Sequence, residues 1–225
     1  MHIGLIGGIG PAATVAYYNR LVHRFRSVEV PWNLTIVHAD VSILIANSAS
    51  DRRAAQAEIF AGHIRQLHGA GCDVAAITAL TGHFCFDEVQ QLATLPLVSA
   101  ITPIDQFCHD EGLKTIGLLG SPPVMTSHLF GQMPQTRTVI PEANIEDLGQ
   151  AYLEMASTGV CSEKHRQQFF ASGSEMIRNQ RADAVLLAGT DLGLAFDGRD
   201  PGYRIINALE IHVDALVELA RGGTI

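Results

Sequence analysis

The chain has 225 residues, 47% of them hydrophobic and 17% charged, enough to bury a full core as one large or two small α/β domains. A formal charge of -8 argues against nucleic acid or an anionic membrane surface as partner. Four cysteines (Cys72, Cys85, Cys108, Cys161) stand at no metal-type spacing, and no apolar stretch approaches the ~20 residues that span a bilayer. The N-terminal HIGLIG is a strand-length run rather than a signal peptide, so the expected protein is cytoplasmic with reduced thiols.

In chain order, HIGLIG reads as a strand followed by a helix near 11–26, and LTIVHAD as a strand followed by a helix near 51–69. Ser50 is the expected cap of that second helix, and Gly69–Gly71 its stop. DVAAITAL precedes a helix near 83–93, and LPLVSA one near 103–112. The plan then restarts with TIGLLGS, RTVIP, a helix near 163–180 and DAVLLAGT. In the tail, a short strand leads into an apolar pattern at Ile211, Ala215, Leu216 and Leu219, a helix expected to return to the first domain. Continuous apolar strands separated by helices predict parallel sheets covered on both faces.

The restart is a repeat. HIGLIG at 2–7 matches TIGLLG at 115–120, and DVAAIT at 73–78 matches DAVLLA at 183–188. Periods this long imply duplication of a whole domain. The predicted fold is therefore two pseudo-symmetric three-layer α/β domains with parallel sheets and a ligand cleft between them, lined by strand C-terminal ends. The expected boundaries are 1–101 plus 207–225 for the first domain and 102–206 for the second.

Chemistry concentrates at the strand ends. GLIGGIGPAAT fails the dinucleotide pattern, because Pro11 and two alanines follow Gly10. It is either a tight turn without a ligand or a backbone nest for a carboxylate, with Gly10 and Thr14 as donors. Ser121 occupies the same place in the second half. Thr81 and His83 end one strand, while Thr190 and Asp191 end its counterpart; each pair is either structural or a proton-transfer set. His38 and Asp40 share a strand end. Lys164 and Arg166 are either a solvated helix start or a cationic arm for a substrate carboxylate. No metal is expected.

With these residues assembled, the chain resembles the aspartate/glutamate racemase superfamily, most closely its aspartate-racemase branch, over essentially its whole length. GLIGGIGPAATVAYY is similar to that family's N-terminal Gly-Gly-x-Gly-Pro-x-Ala-Thr signature. TALTGHFCFDEV, GLLGSPPVMTS and LLAGTDLGL resemble its Pro-Cys-Asn-Thr-x-His, Gly-Thr-x-x-Thr-Met and Gly-Cys-Thr-Glu segments. The resemblance implies a cofactor-independent homodimer in which two thiols flank a substrate α-carbon. Both thiols are missing: Ala79 and Gly189 stand at the two cysteine positions, Leu80 replaces the motif Asn, Val124 a Thr and Asp191 the Glu. Cys85, six residues past Ala79, is not expected to substitute. The expected substrate is a small amino or carboxylic acid, bound by Gly10, Thr14, Asp40, Thr81, Ser121, Thr190 and Lys164. Three readings stay open. The chain moves a proton next to a carboxylate using His83, Asp191, Asp40 or a held water; it runs a one-base elimination or decarboxylation; or it is an inactive small-acid-binding relative.

Overall fold

The computed structural model describes residues 1–223. The chain divides into two compact units, Met1–Ala100 with the segment from Leu209 onward, and Ile101–Ala208. Of the span 207–225 expected to join the first domain, Thr224 and Ile225 lie outside the described residues.

The first unit contains β1 (His2–Gly7), α1 (Pro11–Phe25), β2 (Asn33–His38), α2 (Val41–Ala49), α3 (Arg53–Gly69) and β3 (Val74–Ile77). A 3₁₀ turn (Leu80–Cys85), α4 (Phe86–Leu92) and β4 (Leu97–Val98) follow. The second unit contains α5 (Thr102–Asp110), β5 (Thr115–Gly120), α6 (Pro122–Thr126), β6 (Arg137–Val139), α7 (Ile145–Thr158) and α8 (Glu163–Asn179). It continues through β7 (Ala184–Ala188), a 3₁₀ turn (Thr190–Leu192), α9 (Gly193–Phe196) and β8 (Ile205–Asn207), before α10 (Ala208–Ala220). Each unit holds a four-stranded parallel sheet, ordered β2-β1-β3-β4 and β6-β5-β7-β8. The repeat thus extends to strand order, and β1 and β5 even share one burial pattern, a partly buried first residue and five buried ones.

The central strands have no polar face because helices cover both sides, which is why they read as unbroken apolar runs. In the first unit, Leu21 of α1 packs with Ile3, Leu5, Val74 and Val213. In the second, Leu119, Val185 and Leu187 meet Leu148 and Met155 of α7 and Met176 of α8.

Three local expectations need correction. Ser50 does not cap α3; it ends α2, and Arg52 precedes α3 without a side-chain cap. The helix expected near 83 begins as a 3₁₀ turn at Leu80, because the chain leaves β3 through a tight bend before α4. The buried face of α10 is Leu209, His212, Val213, Leu216 and Val217, while Ile211 and Ala215 are only partly covered. A polar histidine on the inward side disguised that face.

Candidate functional site

The strand ends of the first unit are built by close backbone approach. Gly8 adopts φ +83°, and a Cβ there would stand 2.4 Å from Nδ1 of His38 and 2.6 Å from the Ala39 carbonyl oxygen. Gly10 (φ 108°) turns the chain into α1, with Pro11 at its first position. The Thr14 hydroxyl accepts from the Gly8 amide at 2.9 Å and donates to the Gly10 carbonyl at 3.0 Å. Expected as a ligand donor, this hydroxyl braces the turn. Thr14→Val should therefore leave the Gly8 amide without this acceptor and lower stability by about 1–2 kcal/mol, read from the urea midpoint. Asp40 likewise serves the fold: its Oδ1 accepts the Ser42 amide at 2.7 Å and caps α2.

Ala79 and Gly189 occupy equivalent places. Each is extended (φ -130°, ψ 128° and φ -147°, ψ 121°), directly follows a central-sheet strand by one or two residues, and leads into a 3₁₀ turn. Thr81 and Thr190 are both partly buried in those turns. Beyond this the two sides differ.

On the first side, His83 is fully buried. The Ala100 amide donates to its Nε2 at 3.0 Å, which leaves Nδ1 as the protonated nitrogen, 3.2 Å from the Ala79 carbonyl. Its ring stacks on Phe86. Burial pulls its pKa down to about 4, only partly opposed by the Ala79 and Leu80 carbonyls. A neutral ring with both nitrogens on backbone groups braces the loop at Ala79. Cys85 is also buried, its thiol pushed up to about 12 by desolvation first and Glu88 second, far from the thiolate a nucleophile or base needs.

On the second side, Asp191 is buried and Tyr152 of α7 donates its hydroxyl to Oδ2 at 3.2 Å. Burial first, and the neighbouring Asp191 charge second, raise the Tyr152 phenol well above its ordinary value, so it stays a neutral donor. Ser121 is buried where β5 enters α6, one residue beyond the Gly120–Ala188 pair of β5 and β7. The second unit therefore gathers Ser121, Gly189, Thr190 and Asp191 at neighbouring strand ends. Tyr152 is the residue that sequence reasoning missed. Its signal was the apolar spacing Leu148, Ala151, Met155, which marks a helix where none was expected.

Lys164 lies elsewhere. It is exposed in the first turn of α8, on a groove of about 270 Å³ that also presents Asp147 and Glu154. His165 also lines this groove, its Nε2 3.4 Å from Glu154. Arg166 pairs with Glu163 and donates to the Ala195 carbonyl at 3.1 Å. Among the described residues, no cluster of three His, Cys, Asp or Glu side chains could hold a metal ion, and no helix is long and apolar enough to cross a membrane.

Two duplicated parallel α/β units with paired strand-end turns define the class: proteins with the two-domain racemase fold. The chain belongs to the Asp/Glu/Hydantoin racemase family, whose model matches residues 6–216. It is similar to an aspartate racemase homologue from Pyrococcus horikoshii, at 25% identity and TM-score 0.81 over 98% of this chain and 99% of that one. It is also similar in fold to an aspartate racemase of Picrophilus torridus (19% identity, TM-score 0.74, 98% and 94% covered). A broad-specificity amino-acid racemase of Bacillus subtilis is 19% identical over 202 residues, 87% of each chain.

Proposed function

We propose that this protein binds a small carboxylic or amino acid and moves a proton at the carbon next to the carboxylate. It does so without a cofactor and without the two-thiol pair that the family resemblance implies. The observation that carries this reading is the buried Asp191 carboxylate, held by a phenol donor and positioned two residues beyond the vacated second thiol position. In the first unit the equivalent turn carries Ala79 and a backbone-locked His83, so Asp191 is the single base assigned. Acid–base chemistry then works on one face only, with Asp191 as base and hydroxyl and amide donors at Ser121 and Thr190 for the substrate carboxylate. One-faced chemistry exchanges a proton with retention, or protonates a carbanion left by a departing group; it does not racemise efficiently.

Incubation in D₂O with a panel of L-amino acids and small dicarboxylic acids tests this over hours at high protein concentration. The expected result is slow deuterium entry at the α-carbon, with configuration retained and the label lost in Asp191→Asn. No label in any acid that produces a thermal shift would sink the catalytic reading and leave a small-acid-binding protein.

A further inference from the structure

The space that a side chain at Gly189 would need is already filled. A Cβ placed there would lie 2.5 Å from Cε2 of Tyr152, 2.9 Å from its Cζ and 2.9 Å from its hydroxyl oxygen. These separations are well inside van der Waals contact, so one group must give way. The Tyr152 hydroxyl is at the same time the donor to Asp191. Room for such a side chain requires the ring or the turn at Gly189 to move, and a ring that swings away loses that hydrogen bond.

Helix α7 fixes where the ring stands. Leu148, Ala151 and Met155 anchor it in the core of the second unit. Gly149 lets the helix press on the start of α6, since a Cβ there would come within 2.4 Å of Cγ of Pro122. One helix thus lies against α6 and the 3₁₀ turn after β7, and delivers Tyr152 to Gly189.

We propose that Tyr152 is a positioning residue that has taken over the second thiol position: its ring fills the space above Gly189, and its hydroxyl aims the Asp191 carboxylate as the single base. The role of the hydroxyl rests on the proton-transfer reading above; the place of the ring rests on packing alone. In the step it governs, Asp191 takes the α-proton as the C–H bond breaks. The bonding pair passes into the enediolate of the substrate carboxylate, and an O–H bond forms on Asp191. Exchange with water and return of a proton to the same face complete the cycle.

Gly189→Cys, Tyr152→Ala and the double variant decide the first half. Gly189→Cys alone should lower the melting temperature clearly, whereas the same cysteine in the Tyr152→Ala background should cost little. Its thiol, followed by mass spectrometry of the peptide that carries residue 189, should react with iodoacetamide about tenfold faster once the ring is gone. Equal melting losses in the two backgrounds would overturn the placement of the ring. Tyr152→Phe decides the second half, because it keeps the ring and removes the donor. Its deuterium-exchange profile should shift its acid limb to higher pH, since the charged carboxylate has lost a hydrogen bond, while its melting temperature stays near the parent's. A profile superimposable on the parent's would overturn the role of the hydroxyl. A parent protein that incorporates no label at all is the failure of the proton-transfer reading and takes the aiming role with it. The cysteine variants still judge the ring.

Discussion

Between pH 7 and pH 4.5 the first unit should lose a large part of its stability, because two buried histidines resist protonation there. His83 and His212 are both fully buried, and burial pulls their pKa values down to about 4 and about 3, with the proximity of His83 adding to the shift of His212. The Tyr17 phenol, itself raised by burial, keeps its proton and shares a hydrogen bond with Nδ1 of His212 at 2.8 Å. Above the ordinary histidine value of about 6.5, neither folded nor unfolded chain binds a proton at these rings. As the pH falls through 6.5 the unfolded chain takes up two protons that the folded chain refuses, so stability drops until the folded values are reached. The loss is on the order of several kcal/mol for the pair across that window. Urea unfolding at a series of pH values measures it. His212→Gln should flatten the slope even if it lowers stability at pH 7; an unchanged slope would show that carboxylates elsewhere govern acid unfolding.

Gly8→Ala should be the most damaging small substitution at the strand ends. The residue sits at φ +83°, and the new Cβ would meet the His38 ring at 2.4 Å and the rigid Ala39 carbonyl at 2.6 Å. Left-handed backbone strain and overpacking each contribute roughly 1–3 kcal/mol, so a loss of about 3 kcal/mol is expected. Gly62→Ala is the control, because it lies inside α3 with its nearest neighbour, an arginine tip, 3.7 Å away. If the two variants unfold at the same urea concentration, the close approach at Gly8 has no energetic weight.

Much of the fold was legible because its central strands are buried on both faces and so carry no polar residues to interrupt them. The repeat was legible for the same reason: β1 and β5 answer the same packing problem with nearly the same letters. Helices α2 and α7 escaped notice for opposite reasons. In α2 the run VSILIANSA is apolar nearly all round, with Ile43 and Ile45 exposed, so no helical stripe appears. In α7 the stripe is present, but the partner that gives Tyr152 its meaning is the missing side chain of Gly189, 37 positions further along the chain and invisible until the two are placed together. At the site, Asp191 was reachable from its place in the motif, whereas the occupation of His83 by the Ala79 and Ala100 backbone was not. A side chain that braces a loop and one that exchanges protons look the same in a string of letters.

The segment from Leu209 onward belongs to the first unit, and it is not a minor appendage. Leu209, Val213, Leu216 and Val217 complete the cluster that holds Ile3, Leu5 and Val74. On the ribosome the first hundred residues emerge early yet must wait for the whole of Ile101–Ala208 to be made before their closing helix exists. At about 5–20 residues per second, that interval lasts roughly 5–20 seconds, during which the face of β1 and β3 that α10 will cover is bare. The second unit, continuous in sequence, has no such delay. The order of completion in the cell is therefore expected to run against the order of synthesis, and C-terminal truncation should harm the beginning of the chain before its middle.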